Sequence, residues 1–240
     1  MASRRITRKE MKRDDFVSAM GRFSVWMEEH VKEAMLLGGA GLAVVIGSIF
    51  LVQYLNQREA KASVLLGRGL EMLHAPVQGD GSAPTPGGLS YASEQEKLQA
   101  AIAQMDSLIQ SYPRSRSGRL ALYYKGLAQD ALGRSEEAIK TLSEFLEASP
   151  DNYAAPMAQA AMARMLQSTG QSQKALEILE RLSKQTSGAY PPQAALMEMG
   201  RCLEGMGKKE EARKVYERLT KEFPNSDYSQ EAQERLKEIS

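Results

Sequence analysis

The sequence predicts an all-α protein in which one membrane-length apolar helix precedes a stack of helical hairpins. Three observations support this prediction: an apolar run over 34–52, a 37-residue repeat of glycine, alanine and proline, and the lack of strand-like alternation of any useful length. The chain has 240 residues and a formal net charge of +1. This near-neutral charge gives no indication of a nucleic-acid-binding surface.

The run from Ala34 to Val52 contains nineteen consecutive uncharged residues. A helix rises about 1.5 Å per residue, so about 20 apolar residues cross a hydrocarbon layer about 30 Å thick. A surface helix of a soluble domain would keep a polar face, which this run lacks. A cleaved secretory signal would be shorter and closely followed by small residues, whereas bulky residues follow here at 53–57. The sequence therefore predicts an uncleaved transmembrane helix over 34–55.

Residues 1–33 form a predicted cytoplasmic arm. Basic residues are more numerous before the apolar run than just after it, which favours a cytoplasmic N-terminus and an extracytoplasmic C-terminal part. Apolar residues at helical spacing predict an amphipathic helix that lies at the interface, docks on a membrane partner or merely extends the span. This stripe consists of Phe16, Met20, Phe23, Met27 and Val31, with Trp26 beside it.

Small residues recur every four positions inside the span, at Gly39, Ala43 and Gly47. In membrane helices such a stripe lets a second helix approach closely, so this face is a candidate for helix association and for a homo-oligomer. Glycine is also frequent in membrane helices that have no such role. Both interpretations are open at this stage.

The chain offers few residues for catalysis or metal binding. Cys202 is the only cysteine, which excludes an internal disulfide and a cysteine zinc site. The two histidines, His30 and His74, flank the apolar run and stand far from any plausible metal cluster. The acidic pairs at 136–137 and 210–211 fall on the first turns of predicted helices, where carboxylates complement the helix dipole. We therefore predict no enzymatic activity, no metal and no cofactor.

Residues 75–92 interrupt the helical pattern between the span and the repeats. Three prolines and four glycines fall within Ala75–Gly88 without periodicity, which predicts a flexible loop. A helix over about 57–73 precedes the loop, and a second one over 94–111 follows it. We therefore predict that 56–116 forms a degenerate first repeat into which this loop is inserted.

A period of 37 residues organises the rest of the chain. Each unit consists of a helix, a turn around a glycine, a second helix and a break at proline. This pattern predicts three repeats over 117–227 and a capping helix over 228–240. The recurring positions are Gly133, Gly170 and Gly207, then Ala138, Ala175 and Ala212, then Pro113, Pro150 and Pro224, with Ser187 where one proline is missing.

The pattern resembles that of the tetratricopeptide repeat family. The segments LYYKGLAQDALGRSEEAIKTLSEFLEASP and MEMGRCLEGMGKKEEARKVYERLTKEFP match it closely, whereas the middle unit lacks the proline and the first glycine. The resemblance implies an α-solenoid whose groove, lined by the first helix of each unit, binds polypeptide segments. Alternatively, these side chains are solvated or pack within a neighbouring unit. The groove positions implied are Leu120, Tyr123, Leu127 and Asp130, then Met157, Arg164 and Gln167, then Met197, Arg201 and Glu204.

The whole layout also resembles the ancillary subunit of the bacterial secretory translocon, the YfgM-like family. The specific part is FSVWMEEHVKEAMLLGGAGLAVVIGSIFLVQYLNQREAKAS running into the repeats. This resemblance implies an inner-membrane protein with a periplasmic repeat domain that assists client proteins at the translocon. The segment MGRCLEGMGKKEEARKVYERLTKEFPNSDYSQEAQERL is similar to the cell-division coordinator of the Tol–Pal envelope system, a family without such an uncleaved span. The alternative function is a scaffold for an envelope or cell-division complex.

Overall fold

The structure, a computed structural model, is helical throughout most of the part of the chain that it describes. In that part the only β-type pairing is an isolated bridge between Val77 and Tyr91, so the all-α prediction is confirmed. Phe16, Phe23 and Met27 of the predicted arm helix, Ser187 and residues 79–87 of the loop lie outside the described residues. The described residues are 20–22, 24–26, 30–78, 88–185 and 189–239.

Helices follow one another in hairpin order after the long first helix. Their bounds are α1 Val31–His74, α2 Glu94–Ser111, α3 Arg116–Ala131, α4 Ser135–Ala148, α5 Ala155–Ser168, α6 Ser172–Ser183, α7 Pro192–Gly205, α8 Lys209–Glu222 and α9 Asp227–Glu238. The described chain divides into two compact units, Met1–Gln57 and Arg58–Ser240. Helix α1 contributes residues to both of them.

The N-terminal unit contains the apolar part of α1. A window within Met35–His74 has a mean hydropathy of 2.4, and none of it is buried within the protein. Its leucine, valine, isoleucine and phenylalanine side chains are all exposed. The helix is long and apolar enough to cross a membrane, which makes it a candidate membrane span.

In the C-terminal unit, the last part of α1 packs against α2 and α3. Ala62 and Leu66 of α1 are buried in one apolar cluster with Met105 and Leu108 of α2. Polar contacts add to this packing, because the side chain of Arg58 donates from Nη2 to the carbonyl oxygen of Ser111 at 2.9 Å. Residues 58–74 and α2 thus form a helix pair ahead of α3.

Glu59 of α1 caps the N-terminus of α3. Its carboxylate accepts hydrogen bonds from the backbone N–H groups of Arg116 at 2.7 Å and Ser117 at 3.0 Å. The Ser117 hydroxyl also donates to it, at 2.7 Å. The first N–H groups of a helix have no partner within the helix, so this carboxylate satisfies two of them and complements the helix dipole.

The three hairpins α3–α4, α5–α6 and α7–α8 turn at the repeated glycines. Gly133, Gly170 and Gly207 have φ values of 76°, 77° and 74°. Residues with a side chain rarely adopt this left-handed conformation, which explains why glycine recurs here. The residue after each glycine closes the turn; Arg134 N–H, for example, donates to the carbonyl oxygen of Gln129 at 2.9 Å.

Small residues let the two helices of a hairpin approach closely. A Cβ atom at Gly126 would lie 2.7 Å from Cδ2 of Leu142, and one at Gly200 would overlap the ring of Tyr216. Leu142 and Tyr216 are fully buried. The close approach of the paired helices therefore requires a residue without a side chain at positions 126 and 200. The C-terminal helix α9 packs against α8 through the buried residue Ala232 and leaves mostly polar residues exposed.

Candidate functional site

The candidate site is the surface shared by α3, α5, α7 and α9, which we call the first-helix face. Side-chain contacts connect these helices directly: residues of α3 and α5 belong to one apolar cluster, and ion pairs join α5 to α7 and α7 to α9. The face is therefore a continuous surface within the C-terminal unit. Most of the groove positions implied by the repeat pattern lie on it.

The groove positions differ in accessibility. Met157 is 38% exposed, and Arg164 and Arg201 are exposed as well. A second group is half-buried, and Tyr123 and Met197 are buried. The half-buried positions are Leu120, Leu127, Asp130, Gln167 and Glu204.

Tyr123 and Met197 contribute to the core rather than to the surface. Tyr123 is 6% exposed, and its ring centroid lies 5.2 Å from that of Tyr124 and 5.7 Å from that of Phe145. Met197 is 1% exposed and lies in the cluster that includes Leu179 and Tyr216. Since neither side chain is accessible, we no longer regard them as partner contacts. The binding role of the other positions remains a prediction.

Three ion pairs cross the C-terminal half of the first-helix face. Arg164 Nη1 of α5 lies 3.2 Å from Glu198 Oε1 of α7. Arg235 of α9 forms an ion pair with Glu204 of α7, with 3.8 Å between Nη1 and Oε2. The third pair joins Arg201 of α7 to Glu231 of α9.

The charges of these pairs, together with burial, shift the pKa values of Arg201 and Tyr190. The hydrogen bond to Glu231 raises the pKa of Arg201, and burial opposes this effect only in part. Burial raises the pKa of Tyr190, and the negative charge of Glu198 raises it further. The Tyr190 hydroxyl therefore stays protonated between α5 and α7, beside a carboxylate that Arg164 also contacts.

In the N-terminal half of the face, α3 and α5 share a cluster of apolar side chains. Leu127 of α3 packs on the same cluster as Ala158 and Ala161 of α5. Tyr153, just before α5, is 76% exposed, and Met157 lies one helical turn further along. The repeat pattern did not single out Tyr153, although its distance of 37 residues from Tyr190 could have revealed it.

The small-residue stripe of the span lies in the N-terminal unit. Gly39, Ala43 and Gly47 are all exposed. A Cβ atom at Gly39 or Gly47 would meet no other atom within 4 Å, so the backbone is open to a neighbouring helix along this stripe. Helix association through this face remains a prediction.

The described residues show no arrangement that would hold a metal ion, since no three of their His, Cys, Asp or Glu side chains come together. Cys202 is buried, and its thiol lies 3.7 Å from the carbonyl oxygen of Ser172. Burial raises the pKa of this thiol. It therefore behaves as a packing group, because the reactive form of cysteine is the thiolate.

Comparison with known proteins agrees with this architecture. A family model described as a tetratricopeptide repeat-like domain matches residues 25–240. Among curated proteins, no sequence matches the chain significantly.

Similar solved structures match the chain at low sequence identity. A tetratricopeptide repeat protein from Parabacteroides merdae is 17% identical, with a TM-score of 0.50, over 61% of this chain and 55% of that one. Tetratricopeptide-like repeats of a kinesin light chain from Podosopora anserina are 19% identical, with a TM-score of 0.49, over 61% and 79%. The family match covers most of the chain, and the helical hairpins of the structure agree with this match. The protein therefore belongs to the tetratricopeptide repeat-like domain family.

Proposed function

We propose that the protein is a membrane-anchored, non-enzymatic adaptor that binds polypeptide segments on its first-helix face. Proteins of its family are typically interaction scaffolds that bind proteins or peptides. The observation that carries the proposal is the exposure of Tyr153, just before α5, and of Met157 and Arg164 within α5. Such a mixture suits polypeptides, because methionine adapts its shape and arginine binds carboxylates.

The proposal includes the compartment and the client. The unburied apolar helix supports a single-pass anchor over 34–55 in the inner membrane, with the 1–33 arm in the cytoplasm and the repeats in the periplasm. The domain limits proposed are 56–116 for the degenerate repeat, 117–227 for the three repeats and 228–240 for the cap. By its resemblance to the translocon subunit, the protein assists the biogenesis of periplasmic proteins.

A scaffold for a cell-envelope or cell-division complex is the second candidate. It is favoured by the three ion pairs on the first-helix face, which already use the charges of Arg201, Glu204 and Glu231 within the protein. If the charges of the first-helix face are paired within the protein, a folded partner would bind the opposite surface, which is formed by α4, α6 and α8.

Site-specific photo-crosslinking in membranes tests the two functions. A photoreactive phenylalanine analogue replaces Met157 on the first-helix face or, as the control, Glu177 on the exposed side of α6. The membranes are washed with carbonate, so that only lipid-embedded protein is analysed. We expect position 157 to capture many unfolded secreted chains and position 177 to capture few.

Two results would contradict the proposal. One or two folded partners at position 177, with none at 157, would favour the scaffold. Loss of the protein in the carbonate wash would exclude the anchor.

A further inference from the structure

We propose that the turn between α2 and α3, residues 112–116, binds the headgroup phosphate of an anionic phospholipid through the guanidinium groups of Arg114 and Arg116. We call it the basic turn. Both arginine side chains are exposed. The inference rests on the membrane anchor of the proposed function, and it adds a polar contact between the repeat domain and the lipid surface.

An internal comparison shows that the backbone of this turn does not require arginine. The turn between α8 and α9 has the same form, because Tyr112 and Phe223 end the preceding helices with φ values of −137° and −130° and ψ values of 55° and 56°. Ser115 and Ser226 then cap the following helices, and each Oγ accepts a hydrogen bond from the N–H group three residues later, at 2.8 Å and 3.2 Å. The two turns therefore fold alike with different residues between these positions.

The charge of the basic turn differs from that of its counterparts. Asn225 takes the place of Arg114 in the α8–α9 turn, and Asp151 takes it in the α4–α5 turn. The counterpart of Arg116 is Asp227, the first residue of α9. An acidic residue stabilises the first turn of a helix because the helix dipole is positive there, whereas an arginine opposes the dipole. Arg116 thus stands where α3 itself favours a carboxylate, which indicates a requirement outside the fold.

The two guanidinium groups are available to a ligand. Among the described residues, neither Arg114 nor Arg116 forms an ion pair or a side-chain hydrogen bond, although Glu59 attracts Arg116 electrostatically. The first four N–H groups of α3 are already bonded, two to Glu59 and two to Ser115. The site therefore consists of the arginine side chains and not of the helix N-terminus.

Contacts within the C-terminal unit hold the basic turn beside the end of the predicted span. Arg58 donates to the carbonyl oxygen of Ser111 at 2.9 Å, and its guanidinium lies 5.3 Å from the ring centroid of Tyr112. Arg58 follows the span over 34–55 by three residues, and three extended residues cover at most about 10 Å. The headgroup layer is about 5–7 Å deep on each side of the bilayer. The turn is thus tied to a residue at or just outside the headgroups, however the two units are arranged.

The chemistry favours a phosphate with a net negative headgroup. A guanidinium donates two parallel N–H bonds to phosphate oxygens, which an ammonium group cannot do. A zwitterionic headgroup carries its own cation, which offsets the attraction. Near an anionic lipid surface, each arginine is expected to raise affinity about fivefold.

The experiment uses the full chain in mixed micelles that contain equal amounts of phosphatidylglycerol and phosphatidylcholine. Native mass spectrometry measures the ratio of the two lipids that the protein retains. We expect Arg114→Gln/Arg116→Gln to lower the ratio of phosphatidylglycerol to phosphatidylcholine by at least about fivefold. Arg181→Gln/Lys214→Gln, the control, removes two exposed cations elsewhere in the array and should change the ratio by less than about twofold. Basic residues of 1–33 also attract anionic lipid, so the variants are compared with one another.

Stability measurements separate a lipid site from a structural role. Because Arg116 opposes the dipole of α3, the double variant should unfold at the same urea concentration as the wild-type chain or a higher one. A double variant that loses both stability and the lipid preference would assign the arginines to the fold and overturn the inference.

The remaining outcomes identify the ligand and separate this inference from the proposed function. Equal lipid ratios in the wild-type chain and the double variant would overturn the lipid site and leave the anchor and polypeptide binding as proposed. Inorganic phosphate, added to the chain in phosphatidylcholine micelles, tests for a free anion. Phosphate adducts that the double variant loses, with no change in the lipid ratio, would overturn the lipid as ligand. Extraction of the chain by carbonate would overturn the anchor, and this inference with it.

Discussion

Two successive junctions of the first-helix face, between α3 and α5 and between α5 and α7, have the same repeat architecture but different surface side chains. The second is closed by its own side chains, since Glu198 contacts both Arg164 and Tyr190. At the first junction, the positions 37 residues earlier hold Leu127 and Ala161, and Tyr153 is 76% exposed. The comparison shows how a repeat protein can keep its packing positions while a few variable positions decide whether a junction stabilises the array or faces a partner.

The largest effect is expected from a substitution inside a hairpin. It tests whether the helices beneath the junctions pack as closely as the structure shows, so that the junctions differ only at their surfaces. In Gly200→Ala, the new methyl group overlaps the buried ring of Tyr216, so we expect a loss of about 1–3 kcal/mol in the free energy of unfolding. Gly205→Ala is the control, because its Cβ has no neighbour within 4 Å and alanine favours the helix. Urea denaturation measures both. A neutral Gly200→Ala would contradict the close approach of α7 and α8.

A smaller effect is expected from opening the charged junction. Glu198→Ala removes the partner of Arg164, and because the Glu198 side chain is only 19% exposed we expect a loss of about 1 kcal/mol that shrinks at high salt. Glu180→Ala removes an exposed pair with Lys184, the residue that follows α6, and should cost less than about 0.5 kcal/mol. Equal losses in the two variants would show that the second junction is not closed by its ion pair.

The smallest effect concerns the protonation of Tyr190. Burial and the charge of Glu198 raise its pKa above the ordinary value of 10.0, so its contribution to stability is complete below that value and is lost as the pH rises through the folded-state pKa. Glu198→Gln removes the negative charge and should lower this pKa. Carbon NMR of labelled tyrosine, with Tyr190→Phe to assign the signal, measures the shift. An unchanged pKa would mean that burial alone sets it.

Much of the fold could be predicted from the sequence because the repeat marks positions with strict backbone requirements. Gly133, Gly170 and Gly207 adopt the left-handed conformation that only glycine adopts readily, so their 37-residue spacing predicts the hairpin turns directly. The close approach of paired helices likewise requires glycine at 126 and 200, because a Cβ atom there would overlap the facing helix. These constraints are local and repeat with the chain.

The surface was less predictable, because it depends on contacts between units. A repeat position indicates which side of a helix a residue occupies, but the depth at which Tyr123 and Met197 are buried depends on the neighbouring helices. The pair of Arg164 and Glu198 is separated by 34 residues rather than by the period of 37, so no repeat position marks it. The exposure of Tyr153 was also not predictable, because the half-buried Tyr190 stands at the equivalent position one repeat later.

The hydrogen bonds of Glu59 have a practical consequence for dissecting the protein. This carboxylate belongs to α1, yet it satisfies N–H groups in the first turn of α3, and Arg58 beside it binds the last residue of α2. A fragment that starts after residue 59 would keep Ala62 and Leu66, which pack on α2, but would lose both of these polar interactions. A soluble version of the repeat array should therefore begin ahead of Arg58 and retain the final turns of the first helix.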